Sequence, residues 1–303
     1  MRRLSIALIG LGYMGRLHLQ KLLELRSKRL IEDIYVYDVV DELSQKASKE
    51  YGLEKLENLD EIGQHKIDGA IIATPTSTHL EVFKTASKYT RHILLEKPPA
   101  KTLGETREII RLARIRDIKV LVGLIERFNP AIEYILNRLD PPIEEWVEVS
   151  GCRTTIPGGR RKDIGVLLDL AIHDLYILSR ILDFSRARVW RWGSAAYEPP
   201  EYEDIGEILI RGDYYNVRLL ASRIHSRKTR RLQIKTGEAI IQIDMVQKTV
   251  SIYKHNSMET NRLKGDSLMN EHIHFINVIK GVDTPKASLE DVYNIMRLIL
   301  DPL

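Results

Sequence analysis

The chain has 303 residues, 44% of them hydrophobic and 29% charged, which is enough to bury a core, is unlike a disordered chain and exceeds what one typical domain needs. No run of about 18 or more apolar residues occurs, and Met1, Arg2 and Arg3 lead straight into a strand-like segment instead of a leader's apolar stretch, so a cytoplasmic protein with no membrane partner is expected. The formal charge of +4 is too mild to call for nucleic acid, and the single cysteine, Cys152, excludes an intrachain disulfide and any all-cysteine zinc site.

In chain order, short β-rich apolar runs alternate with helical stretches: 4–9, 15–25, 34–36, 42–50, 69–73, 78–89, 93–95, 103–116 and 120–125. Such alternation predicts a parallel sheet with helices on both faces, which binds ligands at the carboxyl edge of its strands. After Asn129-Pro130 the pattern changes to a helix over 132–139, Pro141-Pro142, a strand, a loop through Gly158-Gly159 and a long apolar helix over 166–182. From 189 to 253 successive strands are broken at Gly212-Asp213, Thr236-Gly237 and Gln247-Lys248, as in an antiparallel sheet. Helices over 267–280 and 289–300 close the chain, and the domain boundary falls between Gly123 and Pro130.

Gly10-Leu11-Gly12-Tyr13-Met14-Gly15 fits GxGxxG directly after a strand and before a helix. In that context the first glycine permits a tight turn, the second lets backbone approach a pyrophosphate, and the third allows close helix packing, while the helix N-terminus presents N–H donors. Asp38 ends the second strand, where a carboxylate accepts from ribose hydroxyls and repels a 2′-phosphate; NAD is favoured over NADP. Thr74, Pro75, Thr76 and His79 follow the fourth strand, Glu96 and Lys97 end the fifth, and all six lie on the edge that a cofactor would follow. Plainer readings stand beside these: a strand-ending turn for Asp38, helix capping for Thr76 or Ser77, a solvated loop for Lys97.

On the apolar helix, Asp169 and His173 are four residues apart and share a face, which Tyr176 extends. An imidazole backed by a carboxylate suits removal of a hydroxyl proton near neutral pH, with Lys97 polarising the oxygen or relaying; the alternative is a core histidine satisfied by its own aspartate. No third ligand at metal spacing joins the pair, so no metal is expected. Arg153, Arg160 and Arg161 precede this helix in what reads as a loop and are matched to a substrate diphosphate or left solvated. The basic run 225–231 reads as a hairpin surface and not as a nucleic-acid patch.

Taken together, Gly10 to Gly15, Ala73 to His79, Glu96-Lys97-Pro98 and Asp169 to His173 resemble the glucose-fructose oxidoreductase, inositol dehydrogenase and MocA (Gfo/Idh/MocA) family, over nearly the whole chain. The segments 123–130 and 165–174 are similar, within it, to UDP-N-acetylglucosamine 3-dehydrogenases of archaeal type; Thr90-Arg91 departs from the family's usual Gly-Lys. The resemblance implies an α/β N-terminal Rossmann domain (1–124) holding NAD, plus an α+β C-terminal domain (125–303) with a largely antiparallel open sheet for substrate binding and oligomerisation. It implies Lys97, Asp169 and His173 as the catalytic set, Tyr13, Met14, Asp38, His79 and Glu96 along the cofactor, and a sugar or nucleotide-sugar substrate met by Arg127, Asn129, Arg153, Arg160, Arg161 and Tyr176. A homodimer or homotetramer through the C-terminal sheet is implied as well. An inositol or free-sugar dehydrogenase uses the same residues without a diphosphate clamp, and a non-catalytic NAD-binding regulator is the reading from another class.

Overall fold

The computed structural model describes residues 3–139, 143, 145–157, 163–196 and 202–301. Two units divide it, one of Met1–Leu124 with Leu268–Tyr293, the other of Ile125–Ser267 with Asn294–Leu303.

In the first unit, β1 (Leu4–Ile9), β2 (Ile31–Tyr37), β3 (Glu54–Lys55), β4 (Gly69–Ile72), β5 (His92–Glu96) and β6 (Lys119–Gly123) form one sheet in the order β3-β2-β1-β4-β5-β6. Every pairing is parallel, with α1 (Tyr13–Ser27), α2 (Asp41–Tyr51), α3 (His79–Ala86) and α4 (Leu103–Ile115) as the crossovers. All residues of β1 and β4 are buried, which explains why these strands read as unbroken apolar runs instead of alternating ones. Strand order reverses between β1 and β4, so their carboxyl ends frame the crevice where such sheets take ligands.

The second unit opens with α5 (Pro130–Leu136) and β7 (Val147–Thr154), followed by a π-helical turn (Leu167–Ala171) that runs into α6 (Ile172–Leu178). Then come β8 (Arg188–Ser194), β9 (Ile205–Arg211), β10 (Tyr215–Ser222), β11 (Thr229–Lys235), β12 (Ala239–Asp244), β13 (Thr249–Lys254) and β14 (Ser257–Arg262). They form an eight-stranded sheet in the order β14-β13-β12-β11-β7-β10-β9-β8, antiparallel except where β7 meets β10. The inner face carries Val147, Val149, Val217, Leu219, Ile208 and Ile210, all buried, and the π turn packs on it against β7, β9 and β10.

The helix expected over 166–182 is thus a π turn plus a short α-helix. Glu203 explains the entry: its carbonyl accepts from Val166 N at 3.0 Å and its carboxylate from Leu167 N at 3.2 Å, so a side chain from elsewhere starts the wide turn. The chain ends in α7 (Ser267–Ile279) and α8 (Leu289–Leu300). The sequence reading gave 125–303 to one domain; instead α7 packs on the first sheet, where a Cβ at Gly69 would lie 2.7 Å from Ile279 and 3.1 Å from Phe275. An apolar helix of this kind goes where a sheet face lacks cover, whatever its position in the chain.

Candidate active site

The glycine turn is built as its spacing requires. Gly10 has φ +93°, and a Cβ on it would sit 2.8 Å from the Ala73 carbonyl and Thr74 N. A Cβ on Gly15 would fall 1.9 Å from Gly10 O, whereas at Gly12 it would meet nothing within 4 Å. The middle glycine therefore borders open space at the N-terminus of α1, a helix with no capping side chain and no acidic residue in its first turn. Uncapped N–H donors beside an opening suit a pyrophosphate, so these residues fit a dinucleotide. Gly15→Ala is expected to destabilise the first unit in thermal unfolding. Gly12→Ala should fold normally and weaken NAD binding by about tenfold or more, about 1.4 kcal/mol, as read by titration calorimetry.

Asp38 follows β2 and accepts from Leu11 N at 2.6 Å and Val40 N at 2.9 Å. It ties the glycine turn to the second strand, and each carboxylate oxygen keeps a lone pair for a ribose hydroxyl. Tyr13 is exposed and Met14 half-buried beside the turn. After β4, the Thr78 hydroxyl donates to Pro75 O at 2.8 Å and lies 2.9 Å from Thr74 Oγ1. Thr76 and Ser77 lie in a 3-10 turn, and the N-cap of α3 is Thr78, which makes no side-chain cap bond. His79 departs from its expected place along the cofactor. Its ring is buried, with Nδ1 3.0 Å from Pro98 O and Nε2 3.0 Å from Thr74 O, so it fastens one edge loop to the other. Burial holds its pKa below the ordinary imidazole value even though the carbonyls pull it up.

Glu96 ends β5 almost fully buried, its Oε2 accepting from Lys97 N at 3.2 Å and its Oε1 2.9 Å from His18 Nε2. Its carboxylate therefore faces inward, into the unit's core, and Lys97, half-buried and joined to Pro98 by a cis peptide bond, is the side chain at the edge.

In the second unit Asp169 sits in the π turn and His173 on the first turn of α6, both buried. Wide turns of this type recur at functional sites. Tyr176 is buried in the same helix among its apolar residues, so it belongs to the core and not to an open substrate face.

Arg153 is corrected outright. It lies in β7, 2% exposed, and no loop holds it. Its Nε and Nη2 donate to the two Asp174 oxygens at 2.8 and 2.6 Å, and Nη1 to Glu126 Oε1 at 3.1 Å. Burial opposes its charge, but the two carboxylates outweigh burial and push its pKa up. Burial likewise lifts the Glu126 carboxyl, and Arg153, Arg230 and Asn129 overcome it to hold the group below the usual carboxylate range. Asn129 is corrected too: its Nδ2 donates to Glu126 Oε2 and to Met245 O, both at 2.9 Å, while its Oδ1 caps α5 at Ala131 N. Arg127 donates to Glu133 at 3.1 Å and is mostly buried. Arg160 and Arg161 lie outside the described residues.

What sequence reasoning missed is the wiring behind these groups: Glu126, Asp174 and Arg230 in the second unit, His18, His272 and Glu271 in the first. His18 was findable, since it shares the helix face of Gly15, Leu19, Leu22 and Leu25, where a polar side chain must find a buried partner. Among the described residues no group of three or more His, Cys, Asp or Glu side chains is arranged to hold a metal ion, and no helix is long and apolar enough to cross a membrane.

Residues 4–124 match the family model GFO_IDH_MocA, described as an oxidoreductase family with an NAD-binding Rossmann fold. The chain is 28% identical over 254 residues, 84% of its length and 78% of the relative's, to a UDP-N-acetylglucosamine 3-dehydrogenase from Acidithiobacillus ferrooxidans. It is 22% identical over 227 residues, 67% of its length and 61% of the relative's, to a myo-inositol 2-dehydrogenase from Thermotoga maritima. A solved structure of UDP-N-acetylglucosamine 3-dehydrogenase GnnA from Acidithiobacillus ferrooxidans superposes with TM-score 0.87 at 25% identity, covering 100% of this chain and 97% of that one. A levoglucosan dehydrogenase in complex with NADH and levoglucosan shares the fold at TM-score 0.84 and 18% identity, over 98% of this chain and 95% of that one.

Proposed function

Since the chain belongs to the Gfo/Idh/MocA oxidoreductases through its NAD-binding Rossmann domain, we propose that it oxidises the C3 hydroxyl of UDP-N-acetylglucosamine. The observation that carries this reading is the likeness to a dehydrogenase of that specificity across 84% of the chain, joined to a glycine turn with room for a pyrophosphate.

Gly10, Gly12, Gly15 and the N–H groups of α1 would hold the pyrophosphate, and Asp38 the adenosine ribose. NAD, when bound, supplies the hydride acceptor. Lys97 donates a hydrogen bond to the reacting oxygen, which lowers the cost of its changing charge. His173 takes the hydroxyl proton, and Asp169 fixes its tautomer and steadies the imidazolium. Arg127, whose Nη1 donates to Glu133, would meet the substrate, as would Arg160 and Arg161.

One finding favours a second reading, an inositol or free-sugar dehydrogenase: Arg153, one of three arginines matched to a diphosphate, is spent on Glu126 and Asp174. Exposed Trp190, Trp192 and Leu209 on the outer face of the second sheet support self-association there. Reduction of NAD by the purified protein with UDP-N-acetylglucosamine, myo-inositol and glucose tests the assignment. Turnover with the nucleotide sugar at the highest kcat/KM is expected; turnover with inositol or glucose alone selects the second reading.

A further inference from the structure

Behind the edge residue Lys97 the first unit buries a chain of titratable groups that the mechanism above does not use. His18, fully buried on α1, stands between two partners: its Nε2 is 2.9 Å from Glu96 Oε1 and its Nδ1 2.8 Å from His272 Nε2 on α7. Beside them lies Glu271, also fully buried, and neither of its carboxyl oxygens has a hydrogen-bond partner. Lys21, on the same helix as His18, adds its charge near His272. Ile273, the next residue of α7, is exposed, whereas Glu271 and His272 before it are both buried away from water beside His18 and Glu96.

Elementary electrostatics assigns the protons. Two carboxylates in one desolvated cluster do not both ionise. Glu96 receives two hydrogen bonds, from Lys97 N and from His18; Glu271 receives none. Glu96 therefore takes the charge and Glu271 the proton. Burial, then the Glu96 charge, raise the Glu271 pKa well above the usual carboxylate range, and burial pushes His272 well down, toward the neutral form. With Glu96 ionised, His18 Nε2 must donate to it.

We propose that His18 is a positioning residue for the Glu96–Lys97 turn: it holds the Glu96 carboxylate on one ring nitrogen, is itself held by His272 on the other, and depends on Glu271 keeping its proton. Glu96 in turn anchors the Lys97 backbone, so the set fixes where the lysine at the sheet edge begins. This inference rests on the reading of Lys97 as an acid–base group.

Two variants separate the nitrogens. His18→Gln places an amide where Nε2 was and can still donate to Glu96, while His18→Asn reaches only the Nδ1 position. With UDP-N-acetylglucosamine and NAD, His18→Asn is expected to lose up to about 100-fold in kcat with an unchanged NAD dissociation constant, and His18→Gln to recover most of it. Equal turnover in the two variants, whether high or low, overturns the proposal.

A second arm needs no turnover. The unfolded chain releases the Glu271 proton above the ordinary carboxylate range, whereas the folded chain keeps it, so this group lowers stability as pH rises toward its folded pKa. Calorimetric unfolding of the whole chain between about pH 5 and about pH 9 should show Glu271→Gln melting higher than wild type at neutral pH, with a flatter dependence on pH. An unchanged slope means that Glu271 is already ionised and sinks the proton assignment. If instead Lys97→Ala turns over normally while the calorimetric result holds, the role of Lys97 fails and the buried set stands as a structural one.

Discussion

Lys97→Ala and His173→Ala are each expected to lower kcat by about 10²–10⁴-fold and to leave NAD affinity close to that of the wild-type chain. The expectation follows from where the two residues lie. Lys97 is the half-buried side chain that β5 leaves at the carboxyl edge of the first sheet, because Glu96 before it is turned inward onto His18. His173 is buried on the helix that follows a π turn, one residue before Asp174, whose carboxylate is locked by Arg153. Neither belongs to the glycine turn, so neither replacement should touch the pyrophosphate cradle. Asp169→Asn should fall in the same direction, since an amide neither steadies an imidazolium nor enforces a tautomer. Steady-state rates with UDP-N-acetylglucosamine, beside NAD titration by calorimetry, check both halves. A variant that weakens NAD binding but keeps its rate at saturation contradicts the assigned roles.

Arg153→Ala should have the largest effect on stability, about 3–5 kcal/mol, the usual cost of removing one partner from a buried ion pair. Arg153, Glu126 and Asp174 are each 2% exposed, so removing the guanidinium strands two carboxylates away from water. Arg230 still reaches Glu126, whereas Asp174 loses both hydrogen bonds from the guanidinium. Replacing all three with neutral groups of similar volume, Arg153→Met with Glu126→Gln and Asp174→Asn, should restore part of the loss, because no buried carboxylate is then left unpaired and only Arg230, 32% exposed, loses a charged partner. The three tryptophans, Trp146, Trp190 and Trp192, all lie in the second unit. Their fluorescence during urea unfolding therefore reports the unit that carries the cluster. Acid should mimic the substitution in milder form: Glu126 has its folded pKa below the unfolded value, so its contribution is present above the ordinary carboxylate range and lost as pH falls through the folded pKa.

The Rossmann half was legible because its parallel strands are buried on both faces and so read as continuous apolar runs, and because the roles of Gly10, Gly12 and Gly15 are steric and local. The second sheet was legible through its turns, yet β14 escaped, since Ser-Met-Glu-Thr-Asn-Arg is an exposed edge strand with no apolar alternation to betray it. The π turn was hidden for another reason. Its cause, Glu203, is distant in sequence, and no local periodicity encodes a bond from Leu167 N to that side chain. Arg153 was misread as a loop residue because it stands next to a run of surface-like basic residues, although its own place, two residues on from Gly151 in a β-rich stretch, is that of an inward-facing strand residue. Buried charges are paired through tertiary contacts, and Glu126, Asp174 and Arg230 become partners only once helix and strands are assembled. For the same reason His79 and Glu96, adjacent to the right edge in sequence, turned out to face the interior.

UDP-N-acetylglucosamine carrying deuterium at C3, incubated with the protein and NAD, gives the most direct measurement. The proposed function predicts that the deuterium is recovered on the nicotinamide ring of the reduced cofactor, with a 3-keto nucleotide sugar formed in equal amount. Reduced cofactor without deuterium, or none formed while myo-inositol or glucose is oxidised, would contradict it.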